Sequence, residues 1–342
     1  MGRKGIAILL AGVMLASCGL TGCGDTQMDK EAVALTVGDT EVSLGFLNFV
    51  ARYEQAQRDP YYVTYLGENV WESDSDGDGL TTEETTKADI MQMIQEWFVL
   101  EDMQAEYDVV VPDTTMTSIQ ETAAAFMADN TSEAIEQLGA TQEYVEQMLY
   151  YVVLESLMQA AIEAEATVTV TDEDAAMRTF SYIMLSGLGG NNENGVYEKY
   201  EGDKLEEVKA EAQKAVDRAK KDFDAVAAEY KYEGTDYSYG SNDEVMDDAL
   251  IAAADALKEG EVSGLVEGAN GYFVVRLDSE YDEVASGQNK LSLMAAQRQE
   301  YYLEVLADAL EAADIKLDEK LWAQVKFDSL FTIKTEDATT TE

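Results

Sequence analysis

The chain is 342 residues long, 46% hydrophobic and 27% charged, with only two prolines, Pro60 and Pro112. That length suffices for two or three modules, and that composition excludes a disordered or proline-rich chain. A formal net charge of −46 repels phosphate backbones, so no nucleic-acid partner is expected.

The N-terminus opens with "MGRKG", which supplies Arg3 and Lys4, followed by an apolar run from Ile6 to Ala16. The run is too short for a comfortable membrane span and reads as a signal-peptide core, giving a leader over 1–22. Two stretches fit a bacterial lipobox, "LASC" (15–18) and "LTGC" (20–23). The polar "GDTQMDKEA" after Cys23 points to Cys23 as the lipidated residue, with Cys18 as the alternative. A plain secreted protein is the other reading. The expected location is extracytoplasmic, lipid-anchored to the cell membrane. Cys18 lies in this leader, and Cys23, the first residue after it, would carry the lipid, so disulfides, thiol nucleophiles and cysteine-rich metal sites are excluded from the mature chain. No cofactor is expected.

Charge divides the remainder. Residues 24–177 hold four basic and 33 acidic residues, and residues 178–342 hold 17 and 36. No Lys or Arg occurs from Ala88 to Met177, which places a module boundary near residue 177. The first module, 23–176, reads as mainly helical. "VALTVGDTEVS" (33–43) predicts a short hairpin turning at Gly38-Asp39, and Ser43 is a candidate N-cap for the helix that follows. Further helices are predicted over 87–107, 114–128 and 141–164, the last carrying Tyr144, Met148, Tyr151, Val152, Leu157 and Met158. Such Met and aromatic stripes serve either as ordinary core or as an adaptable cleft for unfolded chains.

"SDSDGDGLTTEE" (73–84) places Asp74, Asp76 and Asp78 at alternate positions before Gly79, as in a calcium loop. The twelfth position, where a bidentate glutamate belongs, is Thr85, so a solvated acidic turn is the expected reading.

In the second module, 177–282, "TFSYIML" changes the period from helix to strand. A single amphipathic helix is predicted over 204–230, ending in "FDAVAAEY". "VMDDALIAAADALKEGEVS" (245–263) predicts another helix, and "EGANGYFVVRLD" (267–278) a turn and strand. A C-terminal helix at 291–313 lies in a segment assigned to 283–334, ahead of a polar tail, 335–342.

These motifs resemble a parvulin-type (PpiC-like) peptidyl-prolyl isomerase domain. "FDAVAAEY" resembles the family's Phe-x-x-x-Ala-x-x-Tyr, and "LKEGEVS" its Leu-x-x-Gly-Glu-Val-Ser. The order of leader, helical module, parvulin-like module and final helix is similar to PrsA-like and SurA-like extracytoplasmic foldases. The resemblance implies an α+β chain: a helical chaperone module completed by a C-terminal helix, plus a parvulin-like module with a small antiparallel sheet. It also implies a proline-peptide groove of Tyr182, Met246, Leu250, Tyr272 and Phe273. Tyr182 and Phe273 stand where the family typically carries histidine, and this chain has no histidine. Leu250 stands where a pocket phenylalanine is usual.

The expected function is therefore a membrane-anchored foldase for unfolded or newly secreted polypeptides, with a degenerate isomerase site. An active peptidyl-prolyl isomerase and a cation- or solute-binding lipoprotein are the alternatives.

Overall fold

A computed structural model describes residues 15–17, 28–191, 197–230, 235–241 and 243–333. Cys18, Cys23 and the tail 335–342 lie outside them. The chain divides into two compact units: Met1–Ala166 with Gln299–Glu342, and Thr167–Arg298. The fold is α+β, as the sequence implied.

Strand β1 (Leu15–Ser17) pairs with a C-terminal strand described below. Strands β2 (Val33–Val37) and β3 (Thr40–Ser43) form the expected hairpin. Gly38 turns it at φ +57°, a backbone region that costs glycine little. Helix α1 (Leu44–Leu66) begins where the Ser43 side chain accepts from the Phe46 N–H, a cap worth about 0.5–2 kcal/mol. Helix α2 (Thr82–Asp102) starts earlier than its hydrophobic stripe suggested. Thr81 and Glu84 close a reciprocal capping box, and that hydrogen bonding fixes the true start. Helices α3 (Asp113–Asp129), α4 (Ser132–Leu138) and α5 (Gln142–Glu165) complete this part. On α5, Met148, Tyr151 and Met158 are buried, whereas Val152 faces outward. Trp97 of α2 stacks on Tyr151, with centroids 5.7 Å apart. Most of the Met and aromatic stripe is thus core.

The second unit carries β4 (Arg178–Gly187), β5 (Gly189–Asn191) and β6 (Tyr197–Lys199). Helices α6 (Gly202–Ala219) and α7 (Phe223–Glu229) replace the single helix predicted over 204–230. The break has a local cause: the Asp222 side chain turns back to accept from the Ala225 N–H and caps a new helix. Strand β7 (Thr235–Tyr239), helix α8 (Asp248–Asp255), β8 (Val266–Glu267) and β9 (Gly271–Ser279) follow. The four-stranded antiparallel sheet has the order β7-β4-β9-β8. Alternation along β4 and β9 sends Ile183, Leu185, Tyr272 and Val274 toward α6 and α7. It sends Phe180, Phe273, Val275 and Leu277 to the opposite face.

Helix α9 (Glu283–Ala312) starts in the second unit, and the division between units falls within it. Its first turns are fastened there: the Met177 N–H donates to Ser286 Oγ at 2.9 Å, and Lys290 pairs with Asp172. The chain then forms β10 (Ile315–Leu317), α10 (Glu319–Trp322) and β11 (Phe331–Ile333). Strand β10 extends the hairpin to the order β10-β2-β3, and β11 pairs with β1. Tyr302, Leu306, Trp322, Val325, Phe327 and Phe331 share one core with α1, α2 and α5.

Buried polar groups tie this returning segment down. Arg52 donates to the carbonyls of Lys326 (2.7 Å) and Ser329 (3.2 Å), and its guanidinium lies over the Phe331 ring at 4.9 Å. Lys87 donates to the Val325 carbonyl at 2.6 Å. Asp59 accepts from Trp71 Nε1 and from the Phe331 N–H, each at 2.7 Å. A buried charge stands only when so partnered.

Candidate functional site

One face of the four-stranded sheet, beneath α8, gathers the family-derived residues. Leu250 and Phe273 are buried there, with Phe180, Tyr239, Val266, Val275 and Leu277. Tyr182 and Met246 pack against them half-buried. The Tyr182 and Phe273 rings meet edge to face, centroids 6.2 Å apart and planes at 61°. Strand pairing explains the contact: Phe273 is opposite Met184, two residues along β4 from Tyr182 on the same face. Gly271 permits the close approach of β9, because a Cβ there would sit 2.4 Å from the Ser186 carbonyl oxygen.

Two tyrosines of β7 add polar edges that the sequence reading missed. The Tyr237 hydroxyl donates to Asp243 Oδ2 at 2.8 Å, and the Tyr239 hydroxyl donates to Asp255 Oδ1 at 2.8 Å. Burial, then the Asp243 hydrogen bond, pushes Tyr237 up to about 12. Burial opposes ionisation of Asp243, but the Met246 N–H, the Tyr237 hydroxyl and the Val245 N–H together hold it below its ordinary value. Burial and Asp255 likewise raise Tyr239. The alternation in "TDYSY" puts Tyr237 and Tyr239 on one face, and that was the available signal.

The face is thus apolar and aromatic, with no imidazole and two phenol–carboxylate pairs, Tyr237–Asp243 and Tyr239–Asp255, at its edges. Residues 200–286 match the family described as PPIC-type PPIASE domain. This stretch of the second unit is similar to a PPIC-type domain. The matched span takes in Met246, Leu250, Tyr272 and Phe273, and leaves Tyr182 on β4 outside it. A curated relative, the foldase protein PrsA of Clostridium botulinum, is 27% identical over 203 residues, which are 55% of this chain and 58% of the relative. Among solved structures, PrsA from Lactococcus lactis aligns at a TM-score of 0.39 and 16% identity, covering 86% of this chain and 99% of that one. PrsA from Bacillus cereus aligns at 0.31 and 20%, covering 71% and 88%. The resemblance to PrsA-like foldases holds.

Within this stretch, one expected groove residue is misplaced. Tyr272 lies on the other face of β9, 1% exposed in the core with Ile183, Val216 and Val274. Neighbours in a strand point to opposite faces, so Tyr272 and Phe273 cannot line one groove. Leu250 is 1% exposed and forms the floor of the cluster, while Tyr182, Met184, Tyr237 and Met246 supply its half-buried parts.

Elsewhere, carboxylate oxygens of Asp74, Asp76 and Asp78 lie within 4.8 Å of one another, all on exposed residues. They accept from backbone N–H groups of their own loop: Gly77 and Gly79 donate to Asp74, and Leu80 donates to Asp78. The nearby Glu84 is held by Thr81 in the capping box, whose hydrogen bonds keep its carboxyl below its ordinary value. In the first unit, a cleft of about 750 Å³ is bordered by Lys87, Met91, Leu310, Ile315, Leu317 and Trp322, among others.

Proposed function

We propose that this chain is a membrane-anchored extracytoplasmic foldase that holds newly secreted polypeptides while they fold. Its PPIC-type domain binds proline-containing segments on the Tyr182–Phe273 face and turns them over weakly. The observation that carries this reading is the edge-to-face pair of aromatic rings at both positions where the family typically has histidine. Aromatic and Met side chains grip a proline ring by apolar contact and stacking. Rotation about the X–Pro bond must still cross a barrier of about 18–20 kcal/mol, and loss of one tuned hydrogen bond there costs about 1–3 kcal/mol. Such a loss slows turnover roughly tenfold to a hundredfold.

PrsA-like foldases are extracytoplasmic, and the leader with its paired lipoboxes supports the same location for this chain. Lipid on Cys23, or on Cys18, would supply the anchor. The cleft of the first unit, where Met91, Leu310, Ile315, Leu317 and Trp322 meet charged side chains such as Glu83 and Lys326, is the candidate surface for unfolded chains. The test pairs two assays on the full chain: suppression of client aggregation, and isomerisation of a proline peptide. Suppression without strong turnover supports the reading, and absence of suppression contradicts it.

An active isomerase is the second reading. The Tyr237–Asp243 pair favours it, because it places a hydrogen-bonding group on the same face as Tyr182. Strong turnover that falls with Tyr237→Phe would establish it.

A further inference from the structure

Strand β11 carries a short extended segment of the chain's own leader. Leu15–Ser17 runs antiparallel to Phe331–Ile333, with Leu15 opposite Ile333, Ala16 opposite Thr332 and Ser17 opposite Phe331. Helix α4 lies alongside β1. Leu15 and Ala16 close the apolar run that begins at Ile6. Both lipobox cysteines lie C-terminal to Ser17, so processing at either one removes β1 from the mature protein.

From this we infer that in the processed chain the β11 edge receives an extended apolar segment of a client polypeptide, in the place that β1 holds here. The inference rests on the leader processing proposed above. The backbone geometry suits strand addition. The Phe331 N–H points to Asp59 Oδ2 on α1, and alternation turns the N–H and carbonyl of Thr332 toward the opposite side, where β1 lies. A strand added there gains the hydrogen-bonded pair that Ala16 occupies. Main-chain bonding accepts many sequences, which a foldase for varied clients requires.

The segment that leads into β11 is also held. Arg52 grips the Ser329 carbonyl, Gln55 donates to the same oxygen at 3.0 Å, and Gln137 of α4 donates to the Leu330 carbonyl at 3.3 Å. Phe331 is 2% exposed in the core of this unit. The edge is therefore a fixed template. The net charge of −46 favours apolar segments with basic flanks, as the leader itself has in Arg3 and Lys4.

The test uses a fluorescein-labelled peptide of residues 10–17 with a C-terminal di-lysine tag, and a Gly-Ser octapeptide with the same tag as control. The processed chain, 23–342 with Cys23→Ser, is compared with the leader-bearing chain carrying Cys18→Ser and Cys23→Ser. The processed chain should bind the leader peptide saturably and the control not at all. The leader-bearing chain should bind at least tenfold more weakly, because its own segment competes. Thr332→Pro in the processed chain should also bind at least tenfold more weakly. A photo-crosslinking residue at position 332 should form its adduct with the peptide, and this readout needs no proline variant to fold. Equal binding by processed and leader-bearing chains, or adducts with a second copy of the chain in place of the peptide, would overturn the inference. Mass spectrometry of the N-terminus of membrane-isolated protein separates the two readings. An intact Met1 there would sink the processing step even where the processed chain binds peptide.

Discussion

The rings of Tyr182 and Phe273 are in edge-to-face contact at 6.2 Å, on the face of the sheet that also holds Leu250 of α8. Each ring fills the space that the other leaves on the α8 face of the sheet. An aromatic pair of this kind is worth about 0.5–1.5 kcal/mol beyond its buried area. The contact is therefore part of the core as well as part of the candidate site. Phe273→Ala should cost about 3–5 kcal/mol of stability, the usual range for a buried phenylalanine. Thermal unfolding followed by near-UV signals will show it, and a loss below about 1 kcal/mol would place Phe273 outside the core.

Gly271 sets the spacing of the two central strands. A Cβ there would lie 2.4 Å from the Ser186 carbonyl oxygen, and backbone cannot swing aside as a side chain can. Gly271→Ala should destabilise the chain by about 1–3 kcal/mol. Gly264→Ala, which meets nothing within 4 Å, should stay within about 0.5 kcal/mol of wild type. Equal effects of the two substitutions in urea unfolding would contradict this account of the strand spacing.

Asp59 links stability to pH. Burial raises its carboxyl above the ordinary value, against the N–H donors of Phe331, Trp71 and Gln55 and the charge of Arg52. The folded state thus binds the proton more tightly than the unfolded chain. The stabilisation is complete below about pH 4, the ordinary carboxylate range, and is lost as pH rises through the raised value. Wild type should accordingly lose stability relative to Asp59→Asn on going upward from about pH 4. The slope for one proton is at most about 1.4 kcal/mol per pH unit. Chemical unfolding of both proteins at several pH values gives this difference directly; a gap that moves the other way would refute the sign.

Calcium should leave the acidic loop unmoved. The Asp74 and Asp78 carboxylates accept from the loop's own N–H groups, and Glu84 belongs to the α2 cap. A ligand at 100 times its dissociation constant would raise stability by about 2.7 kcal/mol. The expected result is the same melting temperature with and without calcium in wild type and in Asp76→Ala. A shift confined to wild type would favour the cation-binding alternative.

Anchoring is tested by fractionation. Cys18→Ser combined with Cys23→Ser should move the protein out of the membrane fraction, and Cys23→Ser alone should do so unless Cys18 takes the lipid. Retention of the double variant in the membrane would contradict a lipid anchor.

Much of this architecture is legible because it is local. The Gly38-Asp39 turn, the Ser43 cap and the period-two run of β4 each depend on a few neighbouring residues. The break between α6 and α7 was local too, but a long unbroken stripe concealed the Asp222 cap. Non-local order was harder to read. Arg52 and Lys87 look like solvated helix charges until the segment 325–329 returns across more than two hundred residues to cover them. The site was read from family spacing. That spacing brought Tyr182, Met246, Leu250 and Phe273 to one face, but ignored the strand alternation that turns Tyr272 away.

The central claim is that the PPIC-type domain holds proline segments on an aromatic face without an imidazole to tune the chemistry. Its most direct test is the proline-isomerisation rate of the full chain between pH 5 and pH 8. No histidine titrates in that window; Asp243 lies below it and Tyr237, at about 12, lies above it. The account predicts weak turnover with a flat profile, and little further loss in Phe273→Tyr. Strong turnover with a bell-shaped or sloping profile, abolished in Phe273→Tyr while the protein stays folded, would contradict it.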